Sequence, residues 1–277
     1  MIKDAEVVIT KRSDFCNIED LCLIAGVRLI MYLNLDTLKK DRYVYRITTI
    51  NRVKELFSSG LNTLVKPRKW DDPFENFILR SRVRLKSGEV VQYNLHEAMY
   101  GQCWTFHKAS DAMWRIYAPD KNGIRLRSRV DLLGYWLAKA HPKLAEAQCR
   151  IGRVRYLRAQ ELEQVANATF DDDGIGLDEL FASLLVKRKA FEHERELRLL
   201  YFELGEEAAD QNELYNYPVD PHAMIDQMML DPRLSGDEAE SLKREIRSAT
   251  GFQGDIKRSL LYAPPQENIV NVSDWKP

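Results

Sequence analysis

Little in this 277-residue chain marks it for a common chemistry. Its four cysteines, Cys16, Cys22, Cys103 and Cys149, are irregularly spaced and include no C-x-x-C pair. A zinc site draws on closely paired ligands, so none is expected, and reduced, buried thiols in a reducing compartment are the simpler reading. The five histidines, His96, His107, His141, His193 and His222, show neither H-x-x-x-H nor H-E-x-x-H spacing. A serine-centred elbow, a Walker loop and a G-x-G-x-x-G fingerprint are missing, which excludes the common α/β-hydrolase, ATPase and Rossmann readings. Long apolar runs are missing too. The stretch from Leu21 to Leu35 is interrupted by Arg28 and Asn34, and it falls short of the roughly 20 apolar residues that a membrane span needs. The opening Met1-Ile2-Lys3-Asp4-Ala5-Glu6 carries acids and no signal-peptide core, so a cytoplasmic protein with no membrane partner is expected. Neither sign of charge dominates. The net charge of −1 does not announce a nucleic-acid binder, although Arg80, Arg82, Arg84 and Lys86 alternate, as do Arg125, Arg127 and Arg129, and leave a local basic face open.

What is present reads as an ordinary folded protein. Hydrophobic residues make up 45% of the chain, and a chain of this length buries roughly three quarters of the surface its unfolded form exposes. No repeat, low-complexity tract or Gly/Ser linker divides it. Residues 1–40 read as a helical extension, with an amphipathic helix from Ile18 to Met31, and residues 41–277 as a single α+β domain of catalytic type. Tyr43 to Thr49 is rich in aromatic and β-branched residues and predicts a strand. Asn51 would then cap a helix over Arg52–Ser59 that stops at Gly60. Further expectations are a strand over Leu61–Val65, a hairpin around Ser87-Gly88 and a strand at Cys103–Phe106. After these come a helix capped by Ser110 and a strand from Gly123. Leu177 to Phe191 reads as a helix. The period then changes near Glu194, where Leu197, Leu199 and Tyr201 alternate with Glu196, Arg198 and Leu200 in a strand.

Three constellations could carry chemistry. If Glu194 opens a strand, Glu194, Glu196 and Arg198 share one face, since strand side chains alternate. Read as a helix end, the same segment gives only surface pairs worth tenths of a kcal/mol. Trp70-Asp71-Asp72-Pro73-Phe74-Glu75 places three carboxylates where a divalent metal could sit, or forms a turn stapled by Trp70 and Phe74, and the turn is preferred. Cys103-Trp104-Thr105 followed by Met113-Trp114-x-x-Tyr117 combines aromatic surface with one hydroxyl, which also suits a core cluster.

Taken in order, these pieces resemble a known family. Tyr45-Arg46, W-D-D-P-F-E, C-W-T with A-M-W-R-I-Y-A and Gly123, V-R-Y at Val154–Tyr156, and F-E-H-E-R-E-L-R at Phe191–Arg198 are similar to the bacterial domain-of-unknown-function family twenty-nine seventy-one. The similarity spans Tyr43 to Tyr262. Asp71, Thr105 and Phe191 stand where that family usually has asparagine, serine and tryptophan. A more distant similarity, of order and residue type, is to the ADP-ribosyltransferase fold. That fold has an arginine or histidine on a first strand, a small hydroxyl residue on a later strand before a helix, and a last strand with E-x-E. The resemblance implies an α+β fold with mixed or antiparallel central sheets and flanking helices. It also implies NAD as substrate and no metal. Glu196 would stabilise positive charge on the ribose, Glu194 would orient or deprotonate the acceptor, and Thr105 would position Glu196 or the ribose. Arg46, with Tyr45 beside it, would bond the ribose or pyrophosphate, Trp114 or Tyr117 would wall the nicotinamide, and Arg198 would hold the glutamates ionised or contact phosphate. The acceptor would be a protein or nucleic acid, as for a toxin or anti-phage effector, with an antitoxin or defence-system partner. Two other readings stay open. One is a metal-dependent nuclease or hydrolase using Asp71, Asp72, Glu75 and Glu194. The other is a non-catalytic binding module of a defence system.

Overall fold

A computed structural model describes residues 31–35, 42–72, 74–84, 86–92, 95–170, 175–204 and 212–263. Fourteen strands are found among them. They are β1 (Met31–Leu33), β2 (Tyr43–Thr49), β3 (Leu61–Val65), β4 (Arg82–Arg84), β5 (Val90–Gln92), β6 (Met99–Thr105) and β7 (Gly123–Arg129). The rest are β8 (Cys149–Arg153), β9 (Arg155–Leu157), β10 (Val186–Arg188), β11 (Glu196–Phe202), β12 (Leu214–Pro218), β13 (Gln227–Leu230) and β14 (Asp255–Arg258).

Local chemistry accounts for many of the boundaries. The helix after β2 runs over Ile50–Ser59, and its cap is Thr49 rather than Asn51, because the Thr49 hydroxyl accepts from the Arg52 N–H at 3.4 Å. Gly60 ends it with φ +65°, a left-handed conformation that glycine adopts at no steric cost. Ser110 caps the helix Asp111–Tyr117 in the same way, through the Met113 N–H. The hairpin β4–β5 turns at Gly88, where φ is +87°.

Ten of the strands form one mixed sheet in the order β1-β8-β11-β6-β2-β7-β13-β14, with β3 on β6 and β12 on β3. The β1–β8 and β13–β14 pairs are parallel and the other pairings of this sheet antiparallel. This is the α+β architecture expected. On β11, Leu197, Leu199 and Tyr201 enter a large core with the helix Val130–Ala140, while Leu200 joins a second cluster with Leu180, Phe181, Leu184 and Leu185. The alternation read from the sequence therefore puts a core on each face of this strand. No helix among the described residues is long and apolar enough to cross a membrane.

Two further expectations are corrected. Leu177 to Phe191 is not one helix. The helix stops at Ser183, Val186–Arg188 becomes β10 by pairing in parallel with β9, and a 3-10 helix covers Lys189–Glu194. Leu185 fits beside β8 because position 152 is glycine, where a Cβ would stand 2.2 Å from the Leu185 Cδ1. Nor does Glu194 open β11, which begins at Glu196. In the segment read as an extension, Met31–Leu33 adds an edge strand, and the helix expected over Ile18–Met31 otherwise lies outside the described residues.

Candidate active site

The site exists because β6 changes partners. On its outer side it meets β2 at Tyr45–Thr105 and β3 at Val65–Gly101, each through a single register pair. Between those points β2 and β3 diverge, and Gln102, Cys103 and Trp104 face a cavity of about 490 Å³. Tyr45, Arg46 and Ile47 line it from β2, and Met113, Ile116 and Tyr117 from the capped helix. Trp70, Asp71, Asp72 and Glu75 come from the W-D-D-P-F-E turn, and Lys187, Phe191, His193, Glu194 and Glu196 complete the wall.

A closed ring of four ions occupies the β11 side. Lys187 Nζ lies 3.0 Å from Glu75 Oε1 and 2.9 Å from Glu196 Oε1. Arg198 Nε donates to Glu196 Oε2 at 2.7 Å, and Arg198 Nη2 donates to Glu75 Oε2. Two carboxylates and two cations balance, which is what burial of charge demands. A fifth group hangs on the ring: Glu194 Oε2 accepts from Lys187 Nζ at 2.5 Å. All five side chains are buried. Burial first, and then Glu196, push the Glu194 carboxyl up to about 8. Although burial acts on it the other way, Glu196 is held well below the usual carboxylate range by Arg198, Glu194 and Lys187. The two shifts run in opposite directions, so the pair favours its proton on the outer acid, Glu194, over the inner one, Glu196.

The backbone explains how two glutamates two residues apart converge without sharing a strand. Arg195 between them takes a left-handed conformation, φ 46°, and turns Glu194 back toward β11. Thr105 fixes this turn. Its hydroxyl donates to the Glu194 carbonyl at 2.6 Å and accepts from the His107 N–H at 3.0 Å, while its backbone is in register with Glu196. The V-R-Y segment serves the same residue: the Glu196 N–H donates to the Tyr156 hydroxyl at 2.7 Å.

Arg46 differs from the cations of the ring. Half-buried on the cavity wall, it makes no hydrogen bond or ion pair with any described residue, and burial draws its pKa down. The Tyr45 ring is braced from behind by Arg125, 4.6 Å from its centroid. Tyr117 keeps 40% of its surface exposed, yet burial and then Glu194 and Glu196 push its hydroxyl up, so the polar end feels the acids.

Of the residues named from the sequence, Tyr45, Arg46, Thr105, Tyr117, Glu194 and Glu196 meet in this cavity. Two do not reach it. Trp114 is 1% exposed and packs near Gly123, and Arg198 is fully buried beneath Trp70, with its guanidinium 4.3 Å from the ring centroid. Nor does Arg198 share a strand face with Glu194. No family model matches the chain, so the first resemblance has no support from a family match. No curated protein matches it either. Among solved structures, Thermus sp. 2.9 DarT in complex with NAD+ aligns at 14% identity over 80% of this chain and 98% of that one, with a TM-score of 0.36. The same protein with ADP-ribosylated ssDNA aligns at 14% over 80% and 95%, with a TM-score of 0.36, and with carba-NAD+ at 16% over 80% and 97%, with a TM-score of 0.33.

Lys187 and Glu75 were not singled out as partners of Glu196 in the sequence. Lys187 sat inside a segment with helical periodicity, and Glu75 inside a turn that explained itself locally. The only signal was a basic residue shortly before the E-x-E run and an acid in the distant W-D-D-P-F-E turn, which is too common to select them. The metal reading of Asp71, Asp72, Glu75 and Glu194 meets a specific obstacle, since three of the four already pair with a cation. Asp72 holds Arg188 at 2.8 Å, and Glu75 and Glu194 belong to the Lys187 cluster.

Proposed function

We propose that the chain is an NAD-dependent ADP-ribosyltransferase-like enzyme acting on a macromolecular acceptor, protein or nucleic acid. The observation that carries the reading is one cleft with an arginine that has no partner among the described residues on its β2 side and a buried glutamate pair bridged by Lys187 on its β11 side. Such a cleft suits a dinucleotide whose pyrophosphate is dianionic and that is to develop positive charge at one ribose. Arg46 meets the pyrophosphate, for which it has no competitor among described groups. Tyr45, Trp70 and Tyr117 offer ring surface to the bases. Glu196, ionised and clamped by Lys187 and Arg198, retains further lone pairs and needs no reorganisation to face the ribose as the nicotinamide bond breaks. Glu194, in its ionised form, takes the acceptor's proton. Thr105 works through the backbone of Glu194. Action inside a bacterial cytoplasm as a toxin or defence effector, restrained by a partner, fits an enzyme of this kind.

One observation favours a second reading. A closed, neutral ion ring is also what a purely structural buried network looks like, as a non-catalytic binding module would have. Nicotinamide release from labelled NAD, in the presence of bacterial lysate as acceptor source, separates the two. Wild type is expected to release it, and Glu196→Gln to lose about 100-fold or more while keeping its circular dichroism. Absence of both NAD binding and release in the folded wild type would refute the enzymatic reading.

A further inference from the structure

We propose that Lys187 is the positioning residue of this site: closing a neutral ring with Glu75, Glu196 and Arg198, it uses its remaining hydrogen bond to hold Glu194 and to set when that acid is free to take a proton. The geometry leads there directly. An ammonium has three N–H donors and no acceptor. Lys187 Nζ has three carboxylate oxygens around it, at 3.0, 2.5 and 2.9 Å, from Glu75, Glu194 and Glu196. Its stem is 5% exposed, so it has no water-facing alternative, and the Phe191 ring lies 4.6 Å from the ammonium. Arg198 touches Glu75 and Glu196 but not Glu194. Lys187 is therefore the one cation among the described residues bonded to both glutamates of E-x-E.

The inference rests on the ADP-ribosyl reading for its chemical meaning. In that reaction the acceptor X–H attacks the ribose carbon. The bond from that carbon to the nicotinamide nitrogen breaks, with its electron pair going to the ring. The proton of X–H passes to the ionised Glu194 carboxylate and then to solvent. The ring is already balanced without Glu194, so an ionised Glu194 is surplus negative charge and costs desolvation. Lys187 is the group that lowers this cost. Its partner Glu75 competes with Glu194 for the same ammonium.

This competition gives the test an opposite pair of signs. In Glu75→Gln the ring carries surplus positive charge, so Glu194 should ionise at a pH about one unit lower than in wild type. The double variant Lys187→Met/Glu75→Gln keeps the charge balanced around Arg198 and Glu196, which protects the fold, but deprives Glu194 of its cation, so its midpoint should rise by about one unit or more. Lys187→Arg should restore a midpoint close to wild type. The Glu194 midpoint is read by carbon NMR of carboxyl-labelled glutamate, assigned by the resonance lost in Glu194→Gln, and it needs no activity. Shifts of opposite sign support the inference. Shifts of the same sign, or none in variants with native circular dichroism, overturn it. Nicotinamide release against pH is measured on the same proteins. If the NMR midpoints move as expected and the rate profiles follow them, both readings stand. If the midpoints move but no variant or wild type releases nicotinamide, the ADP-ribosyl reading fails while the role of Lys187 in holding Glu194 stands.

Discussion

Glu194 and Glu196, two residues apart, make opposite demands on pH. The folded state holds a proton on Glu194 up to about 8, whereas an unfolded glutamate releases it near 4.5. Between those values the native chain binds more protons than the unfolded one, so stability falls as pH rises through that window. The contribution of Glu194 is fully present below about 4.5 and gone above about 8. Glu196 runs the other way: its lowered folded pKa gives stability that is present above 4.5 and lost as pH falls. Glu194→Gln cannot ionise and keeps most of the shape. Relative to Glu194→Gln, wild type should lose stability from pH 5 to 8, a difference on the order of 4 kcal/mol at the alkaline end. Urea unfolding at several pH values measures it, and parallel curves for the two proteins would show that Glu194 is not the proton holder.

At the scale of elements, the placing of Trp70 depends on a missing side chain in β6. A Cβ at Gly101 would stand 2.7 Å from the Trp70 ring and 3.1 Å from Leu200. Gly101→Ala should therefore push Trp70 off Arg198 and into the cavity, costing about 1–3 kcal/mol as overpacking does. A chemical denaturation curve and a shift in tryptophan emission report it. An unchanged emission spectrum would mean that the wall tolerates the methyl group. Much of this architecture was legible beforehand, because its causes are local. Ser110 announced a helix start, Gly60 a helix end, and the alternation from Glu196 to Tyr201 a strand. The two misreadings share a different cause. Val186–Arg188 is a strand because it finds β9 some thirty positions away, so no window of sequence around it could reveal the pairing. Glu194 meets Glu196 through a left-handed arginine, a conformation that non-glycine residues seldom adopt and that Thr105, far off in the chain, holds in place. Residue type and order picked out six residues that line one cavity, and Arg198 as a cation of the carboxylates, but not Lys187, since ion partners are chosen in space.

For the molecule as a whole, the cleft is a seam. One part of the sheet runs β1-β8-β11-β6, the other β2-β7-β13-β14, and the register between them is the single pair Tyr45–Thr105. A ligand lying from Arg46 to Glu196 would span that seam and add the contacts that strand pairing does not supply. Binding to the native state alone stabilises it by about 2.7 kcal/mol at a hundredfold excess over Kd. At about 2–4 °C per kcal/mol for a chain of this size, that raises Tm by about 5–10 °C. With NAD bound, amide exchange should slow on both sides at once, at Tyr45–Ile47 and at Gln102–Thr105. Arg46 has no described partner to lose, so Arg46→Ala should unfold within about 1 kcal/mol of wild type in the absence of NAD. The same substitution should remove the NAD-induced rise in Tm and the coupled protection. Protection confined to one side would place the ligand on a single wall, and a thermal shift that survives Arg46→Ala would remove the arginine from the binding site.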